Sequence, residues 1–295
     1  MRSDSIRVAV VGPGAIGCAV AAALEAAGGR EVVLCGRRPA VPPAVRPPGL
    51  EPVPLRARVA APADEVAGAD WVLLAVKAHQ TEGAGDRLRR LCRPGVTVAV
   101  LQNGVGHRER VEPYAGGAAV VPTTVWVGAE LAGGVVHVSE SPTIRVPDDD
   151  AGGAFRSLLA GSWIAVEPVA DFPLDSWRKL TVNAVAGLMA LSGRRASMFR
   201  RPDVLTLAQA YARECAAVAR AEGVALSDDE ALRLSGQLAA APPDMSTSML
   251  VDRERGARLE WEARNGVVRE LGAKHGVPTP VSDVVVPLLA AASGD

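Results

Sequence analysis

Residues 7–24, Arg-Val-Ala-Val-Val-Gly-Pro-Gly-Ala-Ile-Gly-Cys-Ala-Val-Ala-Ala-Ala-Leu, decide the reading of the fold. A short apolar strand runs into Gly12-Pro13-Gly14-Ala15-Ile16-Gly17, and an alanine-rich run at helical spacing follows. In that strand–turn–helix setting the three glycines form a dinucleotide-binding signature. Gly12 permits the tight turn, Gly14 keeps a Cβ out of the way of a pyrophosphate, and Gly17 lets the helix lie close to the strand. The free N–H groups and positive end of the helix then favour an anion.

The rest of the chain limits the alternatives. A length of 295 residues suggests two domains. Basic and acidic residues nearly cancel, 32 against 33, which gives no reason to expect nucleic acid or an anionic membrane as partner. Cys18, Cys35, Cys92 and Cys215 are scattered and form no CxxC pair. They read as buried thiols in a reducing compartment and offer no metal site. The first strand begins near Ile6, leaving no room for a signal peptide, and no apolar run reaches the ~18 residues of a membrane span. A cytoplasmic protein is the expectation.

From residue 6 to about 146 strands and helices alternate. Ile6–Val11, Glu31–Cys35, Asp70–Val76 and Thr97–Leu101 are apolar runs of the kind that fill a parallel sheet. Val53–Val59, Ala118–Val127 and Gly134–Val138 read as further strands; Ala15–Ala27 and Gly83–Leu91 read as helices, with a short one at Pro62–Ala67. Seven prolines between Pro39 and Pro54 exclude a regular helix there and suggest an extended surface connection. Beyond Glu167-Pro168 only helical patterns remain, at Leu174–Ala190, Leu205–Glu222, Ser227–Ala239, Arg258–His275 and Ser282–Ala292. The expected fold is α/β. A Rossmann-type, doubly wound domain (1–168) that binds NADP is followed by an all-helical domain (169–295) that holds substrate.

Strand two ends in Cys35-Gly36-Arg37-Arg38, where an NAD-preferring site carries Asp or Glu. Guanidinium groups suit a 2′-phosphate, so Arg37, with Arg38 the weaker candidate, points to NADPH/NADP. Lys77 and Asn103 each follow an apolar strand, at the ends where open α/β sheets bind ligands. In the helical half, Lys179 and Asn183 lie four residues apart and share one face of an otherwise apolar helix. On spacing alone Lys179 reads equally as a proton donor lining a cleft and as a lysine snorkelling from a helix end. Ser248, in a serine-rich loop that opens a helix, and Glu260, at the start of the next, read by themselves as caps.

Taken together, these residues resemble the ketopantoate reductase family (2-dehydropantoate 2-reductases). The markers are Gly12-Pro-Gly-Ala-Ile-Gly17, Arg37, Ala75-Val-Lys77, Gln102-Asn103-Gly104, Trp177-Arg-Lys179-Leu with Asn183, Thr247-Ser248-Met249-Leu with Asp252, and Glu260. The resemblance implies NADPH-dependent reduction of a 2-oxo acid to a 2-hydroxy acid, 2-dehydropantoate or a close analogue, in pantothenate biosynthesis. It makes Lys179 the general acid and gives the acid substrate to Asn183 and Ser248. Glu260 would bond the substrate or the cofactor ribose and help orient Lys179, while Asn103 and Lys77 would contact NADPH. The pattern departs at Gly187, where the family carries a second asparagine one turn after Asn183; Ser197 would be a further polar contact. A 3-hydroxy acid dehydrogenase and a non-catalytic NADP-binding sensor are the rival readings. The alanine- and leucine-rich helical domain leaves room for a homodimer interface.

Overall fold

The computed structural model describes residues 5–36, 44–60, 66 and 68–294. The chain divides into two compact units: Met1–Gln102 with Gly106–Phe172, and Asn103–Val105 with Pro173–Asp295. Arg37, Arg38 and most of the helix expected at Pro62–Ala67 lie outside the described residues.

Unit 1 alternates strand and helix. Its elements are β1 (Ile6–Val11), α1 (Ala15–Ala27), β2 (Arg30–Cys35), β3 (Ala44–Arg46), β4 (Val53–Pro54), β5 (Arg58–Ala60), β6 (Trp71–Leu74), α2 (Gly85–Leu91), β7 (Thr97–Val100), α3 (His107–Ala115) and β8 (Ala119–Pro122). They are followed by β9 (Thr124–Trp126), β10 (Ala129–Ala132), β11 (Val135–Val138), β12 (Thr143–Pro147), α4 (Asp150–Leu159) and β13 (Ala165–Val169). Six strands pair in parallel in the order β5-β2-β1-β6-β7-β8. This is the doubly wound arrangement, in which strand order reverses between β1 and β6 and opens a crevice at their carboxyl ends.

Alternation along each strand explains the continuous apolar runs. Val8, Val10, Leu34 and Leu73 pack with Val20 and Leu24 of α1 and Phe155 and Leu158 of α4. Their neighbours Ala9, Val11, Val72, Leu74 and Val98 pack with Leu88 and Leu91 of α2 and Val111 of α3. Both faces of the sheet are thus covered, and each fully buried Val or Leu contributes roughly 1.5–3 kcal/mol.

Some expected elements differ from those observed. The proline-rich stretch is more than a surface connection. Val45 of β3 is fully buried, and β3 and β4 join a second sheet ordered β10-β11-β3-β4. The strand expected at Val53–Val59 is two short ones, β4 and β5, and Ala118–Val127 likewise divides into β8 and β9. β9 pairs with β12 in a third sheet, ordered β13-β12-β9.

Unit 2 carries no strand among its described residues. Its helices are α5 (Phe172–Ser192), α6 (Pro202–Ala221), α7 (Asp228–Ala240), α8 (Ser248–Glu254), α9 (Val267–His275) and α10 (Pro280–Ala291). Trp177, Leu180, Val185 and Met189 of α5 share a core with Tyr211 and Cys215 of α6 and Leu289 of α10. Helix ends are closed by side chains. The Arg253 guanidinium donates to the Ala190 and Leu191 carbonyls at the end of α5, the second at 2.6 Å. The buried Glu214 carboxylate accepts the Val281 and Ser282 N–H groups at the start of α10, at 2.7 and 2.9 Å. In place of one helix from Arg258 to His275, residues 257–260 are non-helical and a π turn, Glu262–Gly266, precedes α9.

Candidate active site

In unit 1 the three glycines of the turn do different work. Gly12 has φ +107°, and a Cβ there would stand 2.6 Å from the Val76 nitrogen. A Cβ on Gly17 would stand 2.0 Å from the Gly12 carbonyl oxygen. Both positions require glycine for the protein's own packing. Gly14 has φ −79° and an ideal Cβ would meet nothing within 4 Å, so the fold does not require glycine there. Gly14 also N-caps α1 with no side-chain cap and no acidic residue in the first turn. The result is an open cradle facing uncapped backbone N–H groups, which fits the pyrophosphate of a dinucleotide. Pro13, Ala15 and Ile16 complete the turn.

Beside the turn, β6 runs into Ala75, Val76 and the half-buried Lys77. That segment is fixed from beneath. Gln102 Nε2 donates to the Val76 carbonyl and to Thr81 Oγ1, both at 2.9 Å, and Arg110 Nη1 donates to Gln102 Oε1 at 3.2 Å. The His107 ring bonds the Gln102 carbonyl oxygen at 3.0 Å through Nε2. Burial, assisted by the nearby Arg110 charge, pushes the His107 pKa down to about 4, so the ring is neutral at pH 7 and its Nε2–H donates.

In unit 2 a chain of hydrogen-bonded side chains joins residues from four segments. Asn183 Nδ2, on α5, donates to Asn103 Oδ1 at 3.3 Å, and Asn103 Nδ2 donates to Glu260 Oε2 at 2.9 Å. Arg264 Nη2 reaches the same Glu260 oxygen at 3.3 Å and Ser248 Oγ at 2.9 Å. Glu260 is only 5% exposed and Arg264 only 7%. The expected site residues Asn103, Asn183, Ser248 and Glu260 therefore meet in one network. Lys179 lies on α5 one turn before Asn183 and is half-buried. Such a set offers an ammonium as proton donor, amide and hydroxyl donors for an acid, and a buried carboxylate to orient them.

Ser248 is not the cap of its helix. Thr247 Oγ1 accepts the Leu250 N–H at 3.2 Å and caps α8, which leaves the Ser248 hydroxyl for other use. Gly187 is buried, and it forms no gap in a substrate wall. A Cβ there would stand 2.7 Å from Asn265 Nδ2 and 3.2 Å from Met249 Cε, so the Asn265 amide fills the space. Asn265 Nδ2 in turn donates to the Ala184 carbonyl at 2.9 Å and Tyr211 Oη at 3.0 Å. Sequence reasoning missed both Arg264 and Asn265. Their signal, an Arg four residues after Glu260 on a helical pattern, is the same as that of a surface ion pair.

A family model described as ketopantoate reductase PanE/ApbA matches residues 8–150, and its C-terminal counterpart matches 171–293. The chain is 47% identical over 288 residues to a 2-dehydropantoate 2-reductase of Mycobacterium tuberculosis, covering 97% of each chain. A dimeric ketopantoate reductase from Staphylococcus aureus superposes with a TM-score of 0.87 at 25% identity, covering 97% of this chain and 98% of that one. A D-mandelate dehydrogenase solved with NADH and anilino(oxo)acetate shares the fold, with a TM-score of 0.89 at 21% identity over 97% of this chain and 98% of that one.

Proposed function

The chain belongs to the ketopantoate reductase family, oxidoreductases that act on CH–OH groups with a nicotinamide cofactor, and on that premise we propose that it reduces 2-dehydropantoate, or a close 2-oxo acid analogue, to the 2-hydroxy acid with NADPH. The reading is carried by the Asn183–Asn103–Glu260–Arg264–Ser248 network, with Lys179 one turn from Asn183. Pantothenate biosynthesis follows from that activity.

The turn Gly12–Gly17 holds the cofactor pyrophosphate at the start of α1, with Lys77 and Asn103 as further contacts. Arg37 takes the 2′-phosphate and sets the preference for NADPH; its support is the sequence alone. When bound, the nicotinamide supplies the hydride. Lys179 holds a proton at the ketone oxygen and releases it as that oxygen gains charge, a role typically worth 10²–10⁴ in rate. Asn183 and Ser248 fix the acid, which turns binding into orientation. Glu260 bonds the substrate or the ribose and orients Lys179. The S. aureus relative supports a homodimer, formed here through the helical unit. A cytoplasmic location fits a chain in which no described helix is long and apolar enough to cross a membrane.

Initial rates with 2-dehydropantoate, other 2-oxo acids and a set of 3-oxo acids, each with NADPH and NADH, test the proposal. Turnover of 2-oxo acids with NADPH preferred is expected. Preference for 3-oxo acids would make it a 3-hydroxy acid dehydrogenase, and cofactor binding without any turnover would make it a sensor.

A further inference from the structure

Resting on the 2-oxo acid reading above, we propose that Arg264 is a positioning residue for the substrate carboxylate: by donating to Ser248 Oγ it makes the Ser248 hydroxyl a committed hydrogen-bond donor toward that carboxylate. The inference starts from an imbalance. Arg264 places a guanidinium with a side chain 8% exposed next to a Glu260 side chain 7% exposed. One nitrogen, Nη2, serves both Ser248 Oγ at 2.9 Å and Glu260 Oε2 at 3.3 Å. The contact with Glu260 is long and rests on a single nitrogen, unlike the two-pronged pairing that makes Arg–carboxylate bonds strong. Arg264 Nε is buried with no hydrogen-bond partner. A buried pair of this quality stabilises a fold no better than apolar side chains of similar volume, and an orphaned donor adds a cost. Ala263 and Val268 show that apolar residues suit the same stretch. Stability therefore does not account for an arginine here, and the arginine's effect on its partners does.

The partners are constrained by what a guanidinium is. It carries five N–H donors and accepts nothing. A serine hydroxyl has one hydrogen to give and two lone pairs to receive. With Arg264 filling a lone pair, the Ser248 hydrogen must be spent elsewhere. The helix does not use it, because Thr247 caps α8, and Ser248 is exposed. The hydroxyl is thus polarised by the cation and keeps its hydrogen to give, which matches it to an anionic oxygen. The same guanidinium lies 3.3 Å from Glu260 Oε2, where its charge lowers the repulsion that carboxylate exerts on an incoming one. The π turn Glu262–Gly266 makes this geometry available, since its wider coil lets the consecutive residues Ala263, Arg264 and Asn265 all be buried.

The test compares wild type, Arg264→Met, Ser248→Ala and the double variant in steady-state kinetics with 2-dehydropantoate and saturating NADPH. Arg264→Met is expected to raise KM for the 2-oxo acid about tenfold or more, the scale of one hydrogen bond to a charged group, with kcat changed far less and KM for NADPH unmoved. The double variant is expected to be no worse than the poorer single one, because Arg264 works through Ser248. Arg264→Lys, which retains a cation and donors, is expected to recover part of the loss; it also serves as the working variant if Arg264→Met fails to fold. An unchanged substrate KM in Arg264→Met would overturn the inference. So would losses that multiply in the double variant, or a fall in kcat and thermal stability that leaves KM alone. A wild-type protein that turns over no 2-oxo acid would instead overturn the functional reading beneath it.

Discussion

The turn at Gly12–Gly17 and the polar network of unit 2 are built by opposite means. The turn uses six consecutive residues and works through backbone and empty space: a Cβ would collide at Gly12 and Gly17 and would meet nothing at Gly14. The network draws Asn103, Asn183, Ser248 and the pair Glu260–Arg264 from four separated stretches and works through side-chain donors and acceptors. The difference teaches where specificity is stored. On the proposed reading, a cofactor common to many enzymes would be met by main chain around the right glycines, and a particular acid by side chains that the folded helical unit brings together.

Substitutions can break that contrast or sharpen it, and the largest effect is expected inside the turn. Gly17→Val puts carbon where the Gly12 carbonyl stands, 2.0 Å from the Cβ position, and is expected to cost about 3 kcal/mol or more. Thermal unfolding should show little or no folded protein, and a Tm near wild type would mean that α1 is not pinned to β1 by this glycine.

Acid should weaken unit 1 through a buried side chain. The folded pKa of His107 is about 4, below its ordinary value of 6.5, so between those values the unfolded chain holds the extra proton. The contribution is whole above pH 6.5 and is lost as pH falls through about 4, a loss of about 3 kcal/mol. Denaturant titrations across this range should show the loss, and His107→Gln should flatten it; equal slopes in the two proteins would rule the residue out as the cause.

In the network, Asn183→Ala removes one donor to Asn103 and one candidate contact to the acid. A roughly tenfold rise in substrate KM, with NADPH KM little altered, is expected in initial-rate assays. A rise in NADPH KM alone would move Asn183 to the cofactor. The smallest effect should come from Gly14→Ala, which the fold accommodates without contact. Its Tm should stay at the wild-type value while NADPH affinity, read by fluorescence titration, falls several-fold. Unaltered NADPH affinity would show that the cradle is not a phosphate site.

How legible these regions are follows from the same contrast. The parallel sheet was readable because strands buried on both faces are continuous apolar runs, and the turn because its residues are contiguous. Two helices of unit 1 went unread. His107–Ala115 contains Pro113, and Asp150–Leu159 contains Gly152 and Gly153, so neither has the composition of a helix. Within the helical unit Asn103 is legible from its place after an apolar strand and Asn183 from its spacing to Lys179, whereas Ser248 and Glu260, which alone read as caps, need the family resemblance. Arg264 was not found at all. It follows Arg253, Arg255 and Arg258 in a charged stretch, and only tertiary packing and the π turn decide that it is the buried one.

The most direct measurement pairs NADPH binding with turnover of 2-dehydropantoate in wild type and Lys179→Ala. The expected result is equal NADPH affinity in the two proteins, with turnover by wild type and a loss of about 10²–10⁴ in kcat in the variant. Reduction of 2-dehydropantoate by Lys179→Ala at near wild-type rates would contradict the proposed chemistry.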